Sequence, residues 1–290
     1  MIKIQEHLNR VDAEEHLENL AERLWNELNK KLADGTDYKK SSLIKRLDSL
    51  ILKTNEQQYL LDIANNDNAL LTRQKSFLNY LHANSYKKLK DLIISRPEDL
   101  LVLKGEILNI IDSEDFYNSN GRIKQTAFGK LLIEELFKYK NFRQSQLCPD
   151  LVAQLELQNA YCPYCNYVRI QVVDVSMEED EDVLNRAYLD IDHFFPKSQN
   201  PYFALSFFNL IPSCHSCNSA EKGDKEFCIT SHTNPFHKSY NLNHVFEIDN
   251  DSVIKGNTTS LNLRKITPPD DFMDRDLHLN QRYEHTYIDG

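Results

Sequence analysis

Residues 162 to 222 read CPYCNYVRIQVVDVSMEEDEDVLNRAYLDIDHFFPKSQNPYFALSFFNLIPSCHSCNSAEK, and this stretch decides the fold. It opens on Cys162 and Cys165, closes on Cys214 and Cys217, and carries Asp190, Asp192 and His193 between the pairs. A Cys-x-x-Cys turn lets both sulfurs point at one ion, and two such turns supply the four thiolates of a structural zinc site. One pair alone would suit a redox dithiol equally well; two pairs favour zinc. The 48 residues between Cys165 and Cys214 exceed the roughly 15 to 20 of a compact ribbon. A folded unit therefore sits inside the loop. It contains a carboxylate beside a histidine, which points to a second, catalytic metal site.

Outward from this stretch, the 290-residue chain is long enough for two cores, and its seven glycines favour a largely helical protein. Ile2 to His7 lacks the apolar run of a signal peptide, and no stretch of about 18 apolar residues occurs. A soluble, cytosolic protein without membrane contact is expected. In such a chain paired cysteines read as metal ligands rather than disulfides, while Cys148 and Cys228 fall outside the pattern and read as buried free thiols. The charge is uneven: residues 1–147 carry 23 Lys and Arg against 22 Asp and Glu, residues 148–290 carry 11 against 22. The acidic half holds the metal motifs. Autonomous, non-specific nucleic-acid binding relies on many cationic contacts to phosphate and is disfavoured.

The first 147 residues carry helical periodicity. Ile4, Leu8, Val11, Leu17, Leu20, Leu24, Leu28 and Leu32 predict one long amphipathic helix, stopped at Asp34-Gly35. Further helices are expected over Leu43 to Ile51, Tyr59 to Ile63, Leu70 to Leu81, Tyr86 to Ile94 and Pro97 to Ile111, with Asp112 to Gly121 as a loop and Thr126 capping the next helix. These stripes read as the core of a bundle, or alternatively as an arm that docks a partner. Trp25 reads as packed.

Beyond Cys148, Asp150 to Leu157 predicts a short helix. Val168 to Val175, Ala187 to Phe195, Val245 to Ile248 and Val253-Ile254 read as strands. Glu178 to Asp182 is a like-charge block without the spaced ligands of a calcium loop, and reads as a solvated loop. Pro268 to Asp271 reads as an extended linker. Leu279 to Tyr287 reads as the start of a helix, which leaves open a chain that continues past residue 290.

The order Asp192-His193-Phe194-Phe195-Pro196-Lys197, then Asn209-Leu210, then Cys214, Cys217, Asn218 and Lys222, resembles the HNH motif of the His-Me finger, or ββα-metal, endonucleases. The resemblance implies His193 as general base for an attacking water and Asp192 and Asn218 as ligands of one divalent ion, usually magnesium. It implies Asn209 as the residue that orders the loop and helps orient the histidine. Asp190 and Lys222 are expected in support, near the metal and a phosphate. With Asn234-Pro235-Phe236-His237 added, the pattern looks like the HNH component of Septu-type anti-phage systems, some of them attached to retrons. That family implies an ABC-type ATPase partner. The expected fold is mainly α with a small α+β part: a helical domain over 1–147 that docks a partner or regulates, a ββα-metal HNH domain with its four-cysteine zinc site over 148–260, and an extension over 261–290. The expected function is magnesium-dependent cleavage of nucleic acid, DNA foremost, in phage defence. Two rivals are a stand-alone restriction-type HNH nuclease and a non-catalytic zinc module.

Overall fold

The computed structural model describes residues 3–8, 10–157, 160–176, 183–239, 244–248, 259–266, 272–284 and 287–288. The first half is helical: α1 (Ile4–His7), α2 (Ala13–Leu28), α3 (Leu43–Lys53), α4 (Gln57–Asp62), α5 (Asn68–Ile94) and α6 (Pro97–Leu108). The single helix expected from Ile4 to Leu32 is broken in two, and Val11 lies fully exposed in the break. The helix restarts where Glu14 and Glu15 complement the new N-terminus, and Leu17, Leu20 and Leu24 then form its buried face. Side chains cap the helices that follow: Ser42 accepts from the Lys45 amide, and Asp67 from those of Ala69 and Leu70. The two helices expected either side of residue 84 are both present within α5, separated by non-helical backbone at Ala83–Tyr86 where Asn84, Ser85 and Tyr86 take positive φ.

The polar loop after α6 holds a 3-10 turn and leads into a two-residue hairpin, β1 (Tyr117–Asn118) with β2 (Lys124–Gln125). Thr126 accepts from the Gly129 amide and starts α7 (Ala127–Leu131), which continues through π-type turns to Phe137. Only glycine fits at 129, because a Cβ there would collide with the Phe116 carbonyl. Two short helices, α8 (Tyr139–Gln144) and α9 (Leu147–Ala153), complete this half.

The second half is built of small antiparallel sheets. β3 (Gln171–Ser176) pairs with β4 (Val183–Tyr188), and β5 (Asp190–His193) pairs with β6 (Leu210–Ser213) in the register Asp192 to Ile211 and His193 to Leu210. The helix α10 (Ser216–Lys222), wound with π-type turns, follows β6. β7 (His244–Ile248), β8 (Thr259–Lys265) and β9 (Tyr287–Ile288) form a third sheet, beside α11 (Met273–Leu277) and α12 (Leu279–Glu284). The acidic block 178–182, the Val253-Ile254 strand and the 268–271 linker lie outside the described residues. The fold is thus mainly α with a small α+β part. Among the described residues no helix is long and apolar enough to cross a membrane.

The two halves meet on the segment between β5 and β6. Tyr202 from that segment packs its ring 5.2 Å from Phe116 and 6.3 Å from Phe77, all three fully buried. Burying each such ring contributes on the order of 2 kcal/mol. Ser206 donates to the Leu92 carbonyl at the end of α5. The Asn234 to His237 motif reaches the other end of the helical half: the Pro235 carbonyl accepts from the Ile4 amide at 2.9 Å, and that of Phe236 from Gln5 Nε2 at 2.6 Å. Trp25 packs against this continuous core, as expected.

Candidate metal centre and active site

The four cysteines come together. Their sulfurs lie within 4.8 Å of one another, all four residues are buried, and Cys165 and Cys214 stand 3.9 Å apart. Tetrahedral zinc with Zn–S bonds of about 2.3 Å places its sulfurs about 3.8 Å apart, so the cluster has the size of a zinc site. Amides support the sulfurs: that of Cys214 donates to Cys162 Sγ at 3.3 Å and that of Cys217 to Cys214 Sγ at 3.4 Å. Arg282 from α12 donates to Cys217 Sγ at 3.2 Å, and the Tyr283 hydroxyl donates to the Cys165 carbonyl. The C-terminal segment thus covers the cluster, a role without a signal in the sequence. Of the other cysteines, Cys148 is buried and Cys228 half-buried.

β5 divides the candidate catalytic residues between its two faces, because side chains alternate along a strand. Asp190 and Asp192 face α10. Asn218 and Lys222, one helical turn apart, match two aspartates spaced two residues along the strand. Lys222 donates to Asp192 Oδ1 at 3.0 Å and to the His193 carbonyl at 2.7 Å, with both charged side chains almost wholly buried. Tyr164, from inside the first cysteine turn, donates its hydroxyl to Asp192 Oδ2 at 2.6 Å. Asn218 Nδ2 donates to Asp190 Oδ2 at 3.1 Å, and the exposed His215 places Nδ1 3.0 Å from the same oxygen. Asn218 therefore meets Asp190, and no hydrogen bond joins it to Asp192 among the described residues.

His193 turns to the other face. Its Nε2 lies 3.0 Å from the Ala204 carbonyl, a contact that only the protonated nitrogen can make, so in the neutral ring Nδ1 carries the lone pair. Tyr139 of α8 packs edge-on against the ring at 4.5 Å, and Lys197 lies over the Tyr139 ring at 5.2 Å. Burial, reinforced by the nearby charges of Lys197 and Lys222, holds the imidazole pKa well below its ordinary value. This environment favours the neutral imidazole over the charged form. Burial also lowers the Lys197 pKa.

Asn209, fully buried, ties the segment between β5 and β6 to itself. Its Oδ1 accepts from the Phe195 amide at 2.7 Å; its Nδ2 donates to the carbonyls of Phe195 at 3.1 Å and Phe203 at 3.2 Å. The Asn209 carbonyl also accepts from the Phe194 amide at 2.9 Å. One side chain thus fixes the backbone on both sides of the turn that carries Ala204, the acceptor of His193.

Part of the chain is similar to a Septu protein. Over 67 residues it is 31% identical to Septu protein PtuB of Bacillus thuringiensis, which covers 23% of this chain and 21% of that protein. Over 34 residues it is 50% identical to protein ea31 of Escherichia phage lambda, 12% of each chain. The chain thus spans about a fifth and an eighth of these relatives' lengths. No protein-family model and no solved structure matches it.

Proposed function

We propose that this chain is a metal-dependent HNH endonuclease that hydrolyses phosphodiester bonds of nucleic acid, DNA foremost, as the effector of a bacterial anti-phage system. The observation that carries the reading is His193: a buried, neutral imidazole whose Nε2 proton is committed to Ala204 and whose Nδ1 lone pair is left to take a proton from water. Asn209 holds the acceptor loop in place, and the four-cysteine cluster ties the turn before β3 to the junction of β6 and α10. The similarity to PtuB supports the place in defence.

A hard divalent ion, when bound, stabilises charge on the scissile phosphate and the departing 3′ oxygen. Such an ion takes oxygen donors, and on the α10 face Asn218 Oδ1 and Asp190 Oδ1 accept no hydrogen bond from the described residues. Asp192, the other expected ligand, joins them only by giving up Lys222. Magnesium fits this donor set; zinc fits the thiolates.

An acidic half-chain that carries the site is a poor autonomous binder of nucleic acid. A partner therefore supplies that affinity. An ABC-type ATPase is the first candidate, with retron components a further possibility in the same class of system. The test is cleavage of DNA and RNA substrates by the chain with its co-purified partner, in magnesium and in EDTA. Metal-dependent cleavage is the expected result.

A second reading, a non-catalytic zinc module, is favoured by one observation: Lys222 and Tyr164 engage both oxygens of Asp192, and His193 is buried under Tyr139. Absence of cleavage in every metal, with the partner present, would establish it.

A further inference from the structure

A cavity lies away from His193, in the helical half. It holds about 630 Å³ between α2, α3 and the α7 to α9 segment, within the usual range for a small-molecule site. Arg23, Lys30, Lys39, Arg46 and Lys138 all line it, against the carboxylates Glu27 and Asp150. Both carboxylates are already engaged. Glu27 pairs with Lys30 at 2.7 Å, and Asp150 accepts from Gln146 and Asn185. Arg23, Lys39 and Lys138 have no carboxylate partner among the described residues.

Arg46 is the strongest indication. Its Nη1 donates to the Ser41 carbonyl at 3.1 Å, whereas its buried Nε and Nη2 have no hydrogen-bond partner among the described residues. A desolvated guanidinium left with free donors costs stability, and such donors form a fork that matches phosphate oxygens. Burial alone pulls its pKa down to about 10, with no carboxylate to offset it. The lining also includes the apolar side chains Leu28, Phe137, Phe142 and Leu147. Cations together with apolar side chains, two of them aromatic, match a phosphorylated compound with a flat base.

We propose that this cavity binds a small phosphate-bearing ligand of the nucleotide class, with Arg46 and Arg23 on the phosphates and the Phe142 side on the base. The ligand would sit against Lys138, the residue next to Tyr139, whose ring covers His193. The binding claim does not depend on the nuclease reading.

Calorimetric titration of the full chain with ATP, pyrophosphate and adenosine tests it. ATP and pyrophosphate should bind one per chain, ATP more tightly because the Phe142 side takes the base, and adenosine should bind far more weakly than ATP; equal affinity for ATP and pyrophosphate would overturn the base assignment. Arg46→Met should weaken ATP binding about tenfold or more. Arg23→Gln, at the accessible rim, should weaken it in a chain that melts like the wild type, and His193→Ala should leave it unchanged. No binding of either phosphate compound at millimolar concentration would overturn the proposal, as would wild-type affinity in both arginine variants or loss of binding in His193→Ala.

Discussion

Lys222 and Asp192 form an ion pair, Nζ to Oδ1 at 3.0 Å, with their side chains 1% and 4% exposed. The pair joins the end of α10 to the strand that carries His193, and Tyr164 completes it from the first cysteine turn. Such a pair is costly to break from one side, since the remaining charge stays buried. Lys222→Met should destabilise the chain by about 3 to 5 kcal/mol, measured as urea denaturation. The double variant Lys222→Met with Asp192→Asn should recover part of that loss. Equal stability of the single variant and the wild type would show that the pair does not hold the strand.

Zinc is expected at one per chain by elemental analysis. Its removal should expose the Cys162 and Cys214 turns together and unfold the β5 to α10 unit, since structural zinc contributes roughly 10 to 16 kcal/mol of apparent binding energy in small zinc domains. The check is hydrogen exchange of the amides around Asn209 with and without a chelator. Unchanged protection after zinc loss would separate the cluster from the site.

The aspartates of β5 should differ in metal binding. Asp190 is 33% exposed and already beside Asn218, while Asp192 is engaged on both oxygens. Manganese binding followed by electron paramagnetic resonance on the zinc-loaded chain should weaken about tenfold in Asp190→Asn and less in Asp192→Asn. The reverse order would mean that Lys222 leaves Asp192 when the cation binds.

One half-buried carboxylate sets part of the acid limit of stability. Arg275 first, and then His232 at 2.9 Å, hold the Asp276 pKa at about 2, below the ordinary 3.8. Because the unfolded chain binds the proton more readily, this stabilisation is full above about pH 4 and is lost as pH falls toward 2. Arg275 is mostly exposed, so solvent screening reduces the effect to about 1 kcal/mol. Asp276→Asn should flatten the stability curve between pH 4 and pH 2 relative to the wild type. A parallel curve would assign the acid limit to other groups.

Much of the site was legible in the sequence because its signals are local. The spacing of Cys162, Cys165, Cys214 and Cys217 foretold one cluster, and the sulfurs do converge. Asn209 was read as the residue that orders the loop, and its three hydrogen bonds span that loop. What escaped was supplied from a distance. Tyr139 lies 54 positions before His193, and Arg282 lies 65 after Cys217. Neither residue type carries a motif. The period of two along Asp190 to His193 would have placed both aspartates on one face and the histidine on the other, but the motif drew attention to neighbours in sequence. In the helical half, stripes located most helices. The two helices expected either side of residue 84 are present, whereas the break at Val11 depends on packing that periodicity does not record.

The most direct measurement is the rate of DNA cleavage by the chain with its partner, wild type against His193→Ala, in magnesium at pH 7.5. The wild type should cleave in magnesium and not in EDTA, and the variant should be slower by about 100-fold or more while remaining folded at the assay temperature. A folded His193→Ala protein that cleaves at the wild-type rate would contradict the role of His193 as general base.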